Sequence, residues 1–165
     1  MGYTHYWYRP ETIELPTWKL VLADITKLVE AFPDTVVWAG NIETMRPELS
    51  EDMVELNGPD GKGYEPFRLT RVRLAKQGER VKDDGLWFDF CKTDRRPYDL
   101  LVAASLLVLK RHLGKGVRVM TDGKDSDWST TGTGNTPGPK TFCQKVLGYG
   151  FDYIVDGHSE LTTNK

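Results

Sequence analysis

Lys92, Thr93, Arg95 and Arg96 stand together just ahead of an apolar run that opens at Pro97 and Tyr98. A helix starting there presents unsatisfied N–H groups and a partial positive charge, so acids are its usual neighbours and these cations add to the positive field. A bound anion resolves that conflict, and arginines can fork two hydrogen bonds onto a phosphate or carboxylate. Lys92, Thr93, Arg95, Arg96 and Asp99 therefore form the candidate ligand-binding set. The competing reading is a solvated charge cluster in which Asp94 and Asp99 pair with the arginines.

Three other groups have side chains suited to chemistry. His5 lies in an aromatic strand segment, where it is either a general acid or base or a packed, hydrogen-bonded histidine. If that strand lies beside the one ending at Cys91, then His5, Cys91 and Tyr98 converge as a candidate catalytic set, with Cys91 a nucleophile activated by His5. Asp122, Asp125 and Asp127 follow a strand closely enough to hold Mg²⁺ or Ca²⁺, with Asp122 and Asp127 the candidate ligands, although the spacing is not that of an EF-hand and Asp-Gly turn formation explains it equally. Gly58, Gly61 and Gly63 lack the lysine and serine of a Walker loop and fit a hairpin turn. Tyr3, Tyr6, Trp7 and Tyr8, with Trp38, Trp87 and Trp128, are candidate stacking surfaces for bases.

Periodicity predicts the elements that must position these groups. Residues 3–8 alternate as a strand, and Trp18, Val21, Leu22, Ile25, Leu28, Val29 and Phe32 recur at helical spacing after Pro16. Short strands are predicted over 35–39, 53–56, 66–73 and 86–91, with turns at the glycine-rich 57–63 segment and around 78–84. Residues 97–113 read as a helix apolar on most sides, hence central and buried, stopped by Gly114. A strand over 117–121, a long loop over 123–138, a helix over 139–147 and a strand over 151–155 follow. Because strands succeed one another directly in the middle, the pattern predicts an α+β fold with a mixed or mainly antiparallel sheet and about three helices. Residues 1–157 are expected to form one domain and 158–165 a polar tail.

The chain has 165 residues, enough for a core without metal or disulfide staples, and its formal charge of −2 gives no global pull toward nucleic acid or an anionic membrane. Cys91 and Cys143 lack metal-ligand spacing and suit free thiols, though a bridge between them is not ruled out by sequence. No apolar run reaches membrane-spanning length, and the segment MGYTHYWYRP lacks a charged-then-apolar leader, so a cytoplasmic location is expected.

The opening GYTHYW, the Asn-Gly turn followed by Glu65 and Phe67, the FCKTDRRPYD stretch and TDG followed by DW resemble a family of uncharacterised bacterial and bacteriophage proteins over most of the chain. In that pattern Asp94 and Arg96 are variants and Arg95 is the closer match. The matching residues able to act chemically are His5, Cys91, Lys92, Thr93, Arg95, Tyr98, Asp99, Asp122 and Asp127. The resemblance implies a phage or prophage origin, where small proteins act on host nucleotides, nucleic acids or defence systems. The expectation is a protein that binds a nucleotide or nucleotide-derived signal. The alternative is an interaction module such as an inhibitor of a host protein, and third is a phosphoester-acting enzyme or nucleic-acid binder.

Overall fold

The computed structural model describes residues 2–32, 46–59, 61–81, 84–129 and 137–164. Its elements in chain order are β1 (Thr4–Arg9), α1 (Leu15–Ala31), β2 (Glu48–Leu49), β3 (Met53–Leu56), β4 (Phe67–Thr70), β5 (Trp87–Lys92), α2 (Asp99–Leu113), β6 (Arg118–Thr121), α3 (Asp125–Ser129), α4 (Pro139–Leu147), β7 (Tyr153–Val155) and β8 (Leu161–Thr163). The α+β expectation holds, with the strands divided among three antiparallel sheets ordered β5-β1-β6, β2-β3-β4 and β7-β8. The strand expected over 35–39 and Trp38 lie outside the described residues.

Side-chain alternation gives the first sheet two different faces. His5 pairs with Cys91 and Thr121, and Trp7 with Asp89 and Val119, so these share the inner face. Trp7, Val119 and Cys91 there join one apolar cluster with the α1 stripe Trp18, Val21, Ile25 and Leu28. In α2 every residue from Leu100 to Leu109 is buried, which makes it the central helix the sequence predicts, packed against α1, α4 and β6. His112 and Tyr149 both bond the Asp24 carboxylate, at 2.8 and 2.7 Å, and staple the three helices together.

Three boundaries differ from expectation. The helix predicted from Pro97 begins at Asp99, because the Arg96 N–H bonds the Thr93 carbonyl and the Asp99 N–H bonds the Arg96 carbonyl, spending residues 93–98 on turns. The loop predicted over 123–138 contains α3, a fourth helix, whose Trp128 is buried edge-on to the His5 ring at 5.8 Å. The expected polar tail contains β8, since Leu161 is fully buried and the Asp156 carboxylate accepts the His158 and Glu160 N–H groups in the turn that returns the chain to β7. Polar composition masked one buried leucine and one capped turn.

Candidate functional site

The backbone from Lys92 to Tyr98 is knotted around the start of β1. The Tyr3 carbonyl accepts the N–H groups of Thr93 and Asp94, and Asp94 and Arg95 both take left-handed backbone angles, φ 53° and 56°. That conformation is costly for residues with a Cβ, and it turns consecutive side chains apart. Arg95 lies 4.0 Å above the Tyr3 ring and 3.4 Å from Asp127, Lys92 places its ammonium 5.3 Å above the Tyr64 ring, and Arg96 is exposed with no ion pair among the described residues. Gly2 allows the Lys92 course, since a Cβ there would stand 2.0 Å from Lys92 Cε. The cations thus have different neighbours. The acid that a helix start calls for is present within the chain: Asp99, in the first turn of α2, accepts from the Thr93 hydroxyl and lies 2.7 Å from His5 Nε2.

His5 is fully buried and both ring nitrogens are engaged, Nδ1 lying 3.0 Å from the Thr121 hydroxyl oxygen. Thr121 Oγ1 also accepts the Gly123 N–H at 3.0 Å, and a Cβ on Gly123 would strike the Tyr3 hydroxyl at 2.1 Å. Burial first, then the negative charge of Asp99, raises the Tyr3 phenol to about 12. The result is a closed polar knot, Tyr3–Thr121–His5–Asp99–Thr93, with the Trp128 indole N–H buried and unpartnered among the described residues.

The expected convergence of His5, Cys91 and Tyr98 is met in part. His5 and Cys91 are register partners, yet the Cys91 thiol and the Tyr98 hydroxyl both turn to the Glu65 carbonyl while His5 turns to Asp99. Cys91 and Tyr98 are buried, and desolvation pushes both well above their ordinary range, opposite to what nucleophile activation requires. Cys91 and Cys143 are both free thiols. Asp122 accepts the Thr4 N–H at 3.0 Å and the Tyr6 hydroxyl at 3.1 Å, while Asp127 accepts the Lys124 N–H at 2.8 Å. Both expected metal ligands thus spend carboxylate oxygens on hydrogen bonds within the chain, and among the described residues no three His, Cys, Asp or Glu side chains gather. The glycine segment is a hairpin turn closed by Asn57, whose side-chain oxygen accepts the N–H groups of Gly58 and Tyr64.

The outer face of the first sheet carries a feature of another kind. Tyr8 pairs with Phe88 and Arg118, Tyr6 with Phe90 and Met120, and Thr4 with Lys92. The rings form an array, with centroids 5.2 Å apart for Tyr8 and Phe88, 6.2 Å for Tyr6 and Phe88, and 5.9 Å for Phe88 and Phe90. Phe90 is 55% exposed, and Arg118 lies over the Tyr8 ring. Beside the array a groove of about 440 Å³ is lined by Phe88 and Phe90 on one wall, Arg68, Thr70 and Val72 on the other, and Lys76 at the border. Among the described residues the β4 and β5 edges that flank it have no ladder partner on that side. One end is tied by Glu65, whose N–H and carboxylate bond Lys92 at 3.2 and 2.8 Å; the other is tied by Arg73, which reaches Asp89 at 2.9 Å.

Sequence reasoning picked out Tyr6 and Tyr8 as stacking candidates but passed over Phe88, Phe90, Arg118, Arg68 and Glu65. The available signal was parity: β1 and β5 carry large rings at positions that an ordinary one-sided strand leaves polar. Comparison with protein-family models, with curated proteins and with solved structures finds no match to the chain.

Proposed function

We propose that the protein binds a nucleotide on the outer face of the β5-β1-β6 sheet. The observation that carries this reading is the solvent-facing array of Tyr6, Tyr8, Phe88 and Phe90 beside a groove of about 440 Å³. Such a volume lies in the range of small-molecule sites, and exposed rings of this kind attract a flat heteroaromatic partner. Lys92, Arg68 and Lys76 border the rings and supply positive charge for phosphate. The ligand class is the one the basic residues ahead of α2 suggest, and of that set Lys92 is the residue that reaches this face. A phage-type protein acting on a host nucleotide or defence signal is the biological setting that the family resemblance supports.

Titration calorimetry with ATP, repeated on Phe90→Ala, tests the reading. Stacking is worth about 1–3 kcal/mol per base, so the variant is expected to bind roughly 5- to 150-fold more weakly. Equal affinity in the variant contradicts the assignment of this face.

A second reading, an interaction module for a host protein, is favoured by the β4 and β5 edges, which lack a ladder partner among the described residues between the points where Glu65, Arg9 and Arg73 hold the backbone, so that an extended peptide could pair there. Phe90→Pro and Phe90→Ala lose the same ring, but only Pro also removes a backbone donor from β5, so a peptide partner would be weakened much further by Pro than by Ala while a nucleotide would be weakened alike by both.

A further inference from the structure

The occupant of the aromatic face can be narrowed, and the narrowing rests on the nucleotide reading above. We infer that the face takes a single-stranded nucleic acid spanning at least two consecutive nucleotides in preference to a free mononucleotide, which it binds more weakly. Register places the rings on β1 and β5, with one cation on β5 and the other on β6. Lys92 stands level with Thr4, Phe90 with Tyr6, Phe88 with Tyr8, and Arg118 with Tyr8 on the other side. Along β1 the order is therefore a cation, a first ring pair, and a second ring pair that has the other cation beside it across β1. Lys92 and Arg118 are offset by four residues along β1, about 14 Å, and by the width of two strand spacings, about 10 Å, across it; the ring pairs are offset by two residues, about 7 Å.

A single base covers one ring pair and leaves the other exposed, with one terminal cation out of reach of its phosphate. Two bases, one over Phe90 and Tyr6 and one over Phe88 and Tyr8, occupy the array and bring the backbone past both cations. Stacking on every base without hydrogen-bond readout is how single strands are held independently of sequence. A duplex hides its base faces and cannot use the array. The acids around the array are each engaged within the chain: Asp122 with Tyr6, Glu160 with Arg118 at 2.9 Å, Glu65 with the Lys92 N–H, and Asp89 and Glu79 with Arg73. With a net charge of −2, affinity rests on stacking more than on counterion release.

The test compares thymidine monophosphate with oligothymidylates of two, four and eight residues by fluorescence anisotropy and calorimetry, using the full chain and the variants Phe88→Ala, Lys92→Gln and Arg118→Gln. Circular dichroism establishes that each variant is folded. The expected result is a gain of roughly tenfold or more from monophosphate to tetramer, lost in Phe88→Ala. The slope of log affinity against log salt should be about −1.4, as two phosphate contacts give, falling to about −0.7 in either Lys92→Gln or Arg118→Gln. Monophosphate binding as tight as tetramer binding overturns the inference and leaves the nucleotide reading standing. Tetramer binding that is indifferent to all three variants also overturns it. Absence of binding by monophosphate and oligomers alike overturns both and assigns the face to a protein partner.

Discussion

The His5 ring, carried on β1 and wholly buried, lies 2.7 Å from the Asp99 carboxylate at the start of α2, 94 residues further along the chain. That contact puts the acid favoured by the helix dipole in place from within the chain, and through Thr93 and Thr121 it links the sheet to the central helix. Asp99→Asn keeps the shape and removes the charge, leaving His5 and Thr93 with a weaker acceptor. The expected loss of stability is about 1–3 kcal/mol in urea unfolding. Nucleotide binding at the Phe88 and Phe90 face should be unchanged. A variant as stable as the parent would show that the pair contributes nothing to the fold.

The left-handed pair Asp94 and Arg95 gives a second prediction. Asp94→Gly relieves the positive φ at the cost of a more flexible unfolded chain, and stability is expected to rise by about 0.5–1 kcal/mol. Arg95→Gly should gain less, because the guanidinium 4.0 Å above Tyr3 is lost with it. Thermal unfolding of the two variants in parallel decides the order.

Arg9 ties the first sheet to the second. It is fully buried, its guanidinium donates to the carbonyls of Pro10, Thr70 and Arg71, and desolvation lowers it to about 10. Arg9→Ala empties a fully buried position and leaves these half-buried acceptors without their donor, so a loss of about 1–3 kcal/mol or more is expected by denaturant titration. A loss below about 1 kcal/mol would contradict the role assigned to Arg9.

The ion pair at the far end of the groove sets an acid dependence. Hydrogen bonds from Arg73, at 2.7 and 3.0 Å, and from the Lys76 N–H hold Glu79 down to about 2 from an ordinary value of 4.5. A depressed carboxyl contributes stability that is fully present above the ordinary value and is lost as pH falls toward the folded one. Between pH 4.5 and 2 the parent should therefore lose more stability than Glu79→Gln, whose curve lacks this contribution. Parallel curves for the two proteins would remove Glu79 from the account.

The residues explain what was legible beforehand. The α1 stripe, the apolar α2 and α4 with its Pro139 start follow from spacing and caps that act within one turn, and local rules suffice for them. The meeting of His5 with Asp99, or of Cys91 and Tyr98 at the Glu65 carbonyl, depends on β1 lying between β5 and β6, and strand order leaves no mark on local spacing. The basic residues ahead of α2 were visible as charges, but their divergence follows from two left-handed residues that no Gly or Asn announces. The aromatic face was half legible. Tyr6 and Tyr8 stood out as rings, whereas Phe88 and Phe90 fell within the strand expected over 86–91 with nothing in the spacing to say which face they take.

The central claim is that a nucleotide lies on the outer face of the first sheet and not at the start of α2. Chemical-shift mapping of the ¹³C-labelled aromatic rings and ¹⁵N amides during titration with adenosine monophosphate tests it directly. The account predicts ring-current shifts at Tyr6, Tyr8, Phe88 and Phe90, with the amides of Thr93, Arg95 and Arg96 unmoved. Shifts confined to those three amides, with the four rings silent, would contradict it and return the ligand to the helix start.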